Sequence, residues 1–262
     1  MRMSANTTFP DDTDIAAKAI ASAFGRRWRV VQQERTAGGK SFAYNPGQDM
    51  AELRAMAAGA AGDSALRGAL VRLGLAMQGE MLAAAGLDAV YVAGGQMDKA
   101  VEGARGYFGF GVRIKPVSDI REALEASLRS PAILACLPWP EVSGAGQWWP
   151  MLNEQRFRPL VIAGGWPSLD AAEDTPPRMA IVGQANLSPS GRDEMVATVH
   201  DDRVVAEKYL RDAGLEAEVT MRARSLALLR IKEFVAQDDT RIATAIQAGL
   251  DGLRIIGSLP RP

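Results

Sequence analysis

The stretch Val90-Tyr91-Val92-Ala93-Gly94-Gly95 decides how the rest of the chain is read. Four apolar residues, two of them β-branched, are too few for a helix and fit a short buried strand, and the glycine pair lets the chain turn. Residues 96–107 then carry a helical pattern, so the unit reads strand, turn, helix. The pattern recurs. Residues 112–117 read as a strand, 119–129 as a helix capped by Ser118, and 132–137 as a buried strand stopped by Pro138-Trp139-Pro140. That order predicts a parallel, right-handed βαβ arrangement. A further strand over 160–163 ends at Gly164-Gly165-Trp166-Pro167.

Upstream of Gly86 alanine dominates and the period changes to that of helices. A first helix can start at Asp11-Asp12-Thr13-Asp14 and run through Ile15, Ala19, Phe24 and Val31 to Gly38-Gly39, with Gly25 as its weak point. A second opens at Asn45-Pro46, where the missing proline N–H costs nothing, and places Met50, Leu53 and Met56 on one face. A third opens at Asp63-Ser64 and spaces Leu66, Leu70, Leu73, Met77 and Met81 by threes and fours. Residues 1–10 read as a disordered tail.

Downstream, residues 168–177 have no apolar period and read as a linker. Strands are expected over 179–182, 195–199, 215–221, 226–234 and 253–259, with helices over 202–213 and 238–250. From Met195 onward this is βαββαβ, the ferredoxin-like order. The expected fold class is α+β or α/β. It comprises a three-helix unit over 11–86, a small βαβ unit over 87–167, and a ferredoxin-like unit over 178–262.

Composition narrows the function classes. Of 262 residues 47% are apolar, which suits a folded chain, and 30 Lys and Arg against 31 Asp and Glu leave no field that would steer nucleic acid or an anionic membrane. The one cysteine, Cys136, excludes an internal disulfide and a cysteine-rich metal site, so a soluble protein of the reducing cytoplasm is expected. With one histidine and no Gly-x-Ser-x-Gly, the common nucleophile and base arrangements have no support, and neither a cofactor nor a metal is expected. His200-Asp201-Asp202 sits where a strand turns into a helix, and Asp is a natural N-cap there.

Three features are compatible with ligand binding. Gly94-Gly95 before a helix could cradle a carboxylate or phosphate, or could be only a tight turn. Trp139, Trp148, Trp149 and Trp166 could line a pocket for a ring-shaped ligand, or could fill a core. Arg26, Arg27, Arg29, Lys40, Arg54, Arg67 and Arg72 could hold a small dicarboxylate, or could form a solvated face.

The residues Arg26-Arg27-x-x-Val30-Val31, Gly38-Gly39, Asn45-Pro46-Gly47-Gln48-Asp49, Leu53-Arg54 and Leu75-x-Met77-Gln78 follow one another in an order that resembles the all-helical chorismate mutases. Tyr91 to Gly95, Ala104-x-x-Tyr107-Phe108-Gly109, the stretch from Val117 to Leu124, and Leu137-Pro138-Trp139-Pro140-Glu141 resemble the prephenate dehydratases. Residues 195–259 resemble their C-terminal ACT regulatory domain. The whole chain is similar to a shorter alphaproteobacterial family of chorismate mutase-like proteins.

The resemblance implies a protein of aromatic amino acid synthesis that rearranges chorismate to prephenate. In that scheme Arg26 and Lys40 hold carboxylates, Gln78 approaches the ether oxygen and Asp49 takes a substrate hydroxyl. Such a pericyclic step needs compaction and positive charge but no nucleophile. Asn45 and Gln48 stand where the mutases have arginines, and the dehydratases' second lobe has shrunk to residues 168–177, so dehydratase activity is not expected. The alternative is a regulatory or binding protein that does no chemistry and uses its ACT-like domain and Trp-rich lobe. Either way the expected partner is a small dicarboxylate or aromatic ligand. A homodimer is expected, because three short helices rarely enclose a ligand alone.

Overall fold

The computed structural model describes residues 44–58, 62–140, 147–169 and 175–261, together with Ser22, Gly25, Trp28, Arg29 and Phe42. Most of the expected first helix, Arg26 included, and Lys40 beyond its Gly38-Gly39 stop lie outside the described residues.

The expected second and third helices are α1 (Pro46–Ala58) and α2 (Ser64–Ala85). Pro46 opens α1, and the Asn45 side chain accepts from the Gln48 N–H at 3.4 Å. The Asp63 carboxylate caps α2, accepting from Ala65 and Leu66, and Gly86 at φ 110° ends it in the left-handed conformation that suits glycine. Strand β1 (Ala89–Val92) leads to α3 (Met97–Phe108), β2 (Ile114–Pro116), α4 (Ile120–Arg129) and β3 (Ile133–Pro138). The cap of α4 is Asp119 rather than Ser118, its carboxylate accepting from the Arg121 N–H at 2.9 Å.

Two short 3-10 turns, Trp149–Asn153 and Gln155–Phe157, precede β4 (Val161–Trp166) and β5 (Met179–Gly183). The chain ends with β6 (Asp193–His200), α5 (Ala206–Asp212), β7 (Ala217–Ala223), β8 (Leu226–Ile231), α6 (Thr240–Gln247) and β9 (Arg254–Pro260). Helix α5 starts four residues later than the sequence suggests. The buried Asp201 carboxylate accepts from the N–H groups of Val205 and Ala206 and pairs with Arg222 at 2.7 Å, so residues 202–205 form a loop in which Val204 takes φ 58°.

The strands form one mixed sheet of nine, in the order β2-β1-β3-β5-β4-β9-β6-β8-β7. Strand β1 runs parallel to β2 and to β3, as the βαβ reading requires. Strand β5 follows the linker in sequence but inserts antiparallel between β3 and β4, which closes this half of the sheet. Strands β9, β6, β8 and β7 are antiparallel neighbours. The halves meet where β4 lies parallel to β9 with Ile162 opposite Gly257. A Cβ on Gly257 would stand 2.4 Å from the Ile162 Cβ, so only glycine lets the two strands approach this closely.

Three buried clusters follow from the side-chain alternation of the strands. Val90, Val92, Leu134, Cys136 and Ile181 face α1, α2 and α3, with Met50, Leu53, Leu75 and Phe108 above them. Ala135, Leu137, Ile162 and Val182 face the other way, together with Val196, Leu228 and Ile256 from the second half, and all pack against Leu124, Trp149, Leu152 and Phe157. Met195, Ala197, Leu229 and Ile231 pack under α5 and α6. At the end of the sheet order, the Val219 N–H of β7 donates to the Glu207 carboxylate of α5 at 2.8 Å, beside a bulge between Val219 and Met221.

Candidate functional site

Two of the four residues implied for chorismate chemistry meet between α1 and α2. Gln78 donates through Nε2 to the main-chain carbonyl of Asp49 at 2.6 Å, and both are buried, at 7% and 2% exposure. Beside them the hydroxyls of Tyr44 and Tyr107 are 2.8 Å apart and buried. Burial raises the Tyr107 hydroxyl far above its ordinary pKa; its bond to Tyr44 works against this and the Asp49 charge adds to it, so the phenol stays protonated. This is a tightly packed polar knot, and Gln78 spends one N–H on holding two helices together.

Of the expected dicarboxylate cations, Arg29, Arg54, Arg67 and Arg72 are among the described residues. Arg54 donates to the carbonyls of Ser190 and Arg192 at 3.3 and 3.1 Å and so ties α1 to the loop before β6. Arg29 is exposed and donates to the Gly25 carbonyl at 3.1 Å; Arg72 is exposed and Arg67 half-buried. Arg26, Arg27 and Lys40 lie outside the described residues. Among the described residues no group of three or more His, Cys, Asp and Glu is placed to hold a metal. Burial raises the Cys136 thiol to about 12, so it is inert.

An open cleft lies elsewhere, at the carboxyl ends of β1 and β2, where ligands of open α/β sheets bind. It encloses about 450 Å³ between Gly94 and Gly95 after β1, Ser118, Asp119 and Arg121 after β2, and Gln147, Trp148 and Met151 across from them. Gly94 takes φ 145° with the Pro138 ring about 3.1 Å from where a Cβ would be, and the same space beside Gly95 is open. Gln96 leaves the start of α3 without a side-chain cap, whereas Asp119 already occupies the start of α4. The Arg121 guanidinium lies 3.6 Å from Glu154 and 5.6 Å from the Phe157 ring centre, and is about half exposed. Such an exposed pair is weak, so a ligand anion can compete for it.

Trp148 is fixed by a hydrogen bond from Nε1 to the Pro138 carbonyl at 2.8 Å. Of the four tryptophans that could hold a ring, it alone lines the cleft. Trp149 and Trp139 pack in the cluster beneath α4, and Trp166 lies across Gly103 and Gly106 of α3. Ser118, read from the sequence only as a helix cap, and Arg121, Gln147 and Met151 are cleft residues that the sequence reading missed. The end of a strand in a βαβ pattern is signal enough for the first two; nothing local marks the others.

A second cavity of about 420 Å³, lined by Arg192, Asp193, Glu194, Glu218, Arg230, Lys232 and Arg261, is crossed by ion pairs. Arg230 forks onto Glu194 with two bonds of 2.8 Å, Arg261 reaches the same carboxylate at 3.3 Å, and Asp193 accepts from the N–H and hydroxyl of Ser190.

No family model matches this chain, and no curated protein matches it. Among solved structures it is similar to GqqA, described as a novel type of quorum-quenching acylase, at 17% identity over 66% of this chain and 95% of that one, with a TM-score of 0.42. Prephenate dehydratase from Streptococcus mutans is similar at 11% identity over 67% and 100% of the two chains, with a TM-score of 0.41. Prephenate dehydratase from Arthrobacter aurescens in complex with L-Phe is similar at 14% identity over 66% and 90%, with a TM-score of 0.39.

Proposed function

We propose that this chain binds a small ring-bearing carboxylate of the kind handled in aromatic amino acid synthesis, in the cleft at the ends of β1 and β2. The observation that carries the reading is the composition of the cleft walls. The Gly94-Gly95 turn, which leads into the start of α3 where Gln96 supplies no side-chain cap, lines the cleft together with Arg121 and Trp148. A carboxylate suits the helix start and Arg121, and a ring suits Trp148 and Met151. The class of ligand follows from the resemblance of residues 91–95 and 137–141 to the dehydratases. The strands β6 to β9 with α5 and α6 serve in this reading as an ACT-like regulatory unit, and the molecule works in the cytoplasm as a homodimer.

Titration with phenylpyruvate, followed by calorimetry and tryptophan fluorescence, tests it. Binding should saturate at one site, and Arg121→Ala should weaken it about fivefold, the worth of roughly 1 kcal/mol for a half-exposed charge-assisted contact. Binding that is absent, or unchanged in the variant, sinks the reading.

A second reading, rearrangement of chorismate to prephenate at Arg26, Lys40, Asp49 and Gln78, is favoured by the 2.6 Å contact between Gln78 and Asp49. Under it, chorismate absorbance falls well above the spontaneous rate, and Gln78→Ala slows the reaction about 100- to 1,000-fold, as loss of one preorganised donor does. No rate above background with the wild-type protein leaves the binding reading alone.

A further inference from the structure

We infer that Arg254 is a positioning residue for the cleft, and that through it the C-terminal half of the sheet sets how tightly the cleft holds its ligand. This rests on the reading of the cleft given above.

The segment 147–158 has two working faces. Gln147, Trp148 and Met151 form one wall of the cleft. Trp149, Leu152 and Phe157 are buried in a cluster that also holds Val196 of β6, Met221 of β7, Leu228 of β8 and Ile256 of β9. Trp148 lines the cleft and is buried in the same cluster as Trp149, and a rigid short turn cannot move one without the other.

The segment is also pinned at both ends. At the first, Trp148 donates to the Pro138 carbonyl at the end of β3. At the second, Arg254, the first residue of β9, forks onto two main-chain carbonyls: Nη1 donates to Leu152 and Nη2 to Arg158, the latter at 2.7 Å. Thr198 of β6 adds a bond to Asn153 at 3.0 Å. Burial and the neighbouring Arg158 charge lower the Arg254 pKa from its very high ordinary value, and among the described residues the guanidinium is held by these two carbonyls. Directly after it, the Ile255 N–H donates to Gln237 at 2.7 Å, which ties the start of β9 to the segment before α6. A displacement of that corner reaches the cleft wall through the Arg254 fork, beside the Thr198 bond and the shared buried cluster.

Arg254→Met removes the fork but keeps an apolar stem, and Arg254→Lys keeps the charge and one donor. Affinity for phenylpyruvate should fall about tenfold in the methionine variant and recover at least in part with lysine. In the unliganded protein, amide hydrogen exchange over residues 147–153 should quicken in the methionine variant, while β6 and β8 stay protected. Conversely, phenylpyruvate should slow exchange over residues 252–256 in the wild type, since coupling between two sites is reciprocal. Wild-type affinity in Arg254→Met, or quickened exchange spread evenly over the chain, overturns the inference. If the wild type does not bind phenylpyruvate, the cleft reading fails by itself; exchange without ligand then decides alone, faster exchange confined to 147–153 upholding the positioning role and unchanged exchange overturning it.

Discussion

Trp149→Ala should lower the free energy of unfolding by about 3–5 kcal/mol, the usual cost of emptying the site of a fully buried large aromatic residue. Trp149 has no exposed surface and packs in a cluster that takes Leu137, Ile162 and Val182 from one half of the sheet and Val196, Leu228 and Ile256 from the other. Its loss therefore opens a void on the seam rather than at a periphery that could collapse. Chemical denaturation with the midpoint and slope both recorded checks this. Trp149→Phe should cost much less, because among the described residues the indole N–H has no hydrogen-bond partner and its removal strands no acceptor. Equal costs for the two variants would show that the indole edge, not the filled volume, matters.

Gly257→Val should cost about 3 kcal/mol or more, for the opposite reason. The added Cβ would meet the Ile162 Cβ at 2.4 Å and its carbonyl oxygen at 2.5 Å, and a main-chain oxygen in a strand cannot step aside. The strain falls on the pairing of β4 with β9, so the two halves of the sheet should lose their common transition, and two unfolding steps should replace one. Gly62→Ala is the control. No atom lies within 4 Å of its added Cβ, so the change should stay within about 0.5 kcal/mol. A Gly257→Val protein as stable as the wild type would mean that β4 and β9 do not need their close approach.

Much of the mixed α/β architecture could be read from the sequence, because buried strands and capped helices leave local marks. Pro46, Asp63 and Gly86 each act through neighbours within a few residues, while the expected cap Ser118 misses the true one, Asp119, by one position. What depends on distant partners was not legible. Nothing local says that β5 slots between β3 and β4, or that Asp201 delays the start of α5 by pairing with Arg222, twenty-one residues away. The same holds for the candidate site. Gly94-Gly95 could be found because a glycine pair after a strand is a sequence feature, whereas Gln147 and Met151 reach the cleft only because Trp149 and Phe157 are buried against the far half of the sheet. Asp49 and Gln78, chosen by resemblance, do lie together, yet the contact is between a side chain and a peptide carbonyl, which no motif could have specified.

The carboxylate of Glu207 on the Val219 N–H has a consequence for assembly. Strand β7 is the last of the sheet order, and an outward N–H on such a strand is where another chain would begin to add its own. Here that donor is already taken by a charged acceptor from the neighbouring helix, and the adjoining bulge breaks the regular spacing a newcomer would need. A second copy that approached this rim would have to displace an ion from its hydrogen bond before gaining its first one. Glu207 thus works as a guard of this rim against fibre-like growth.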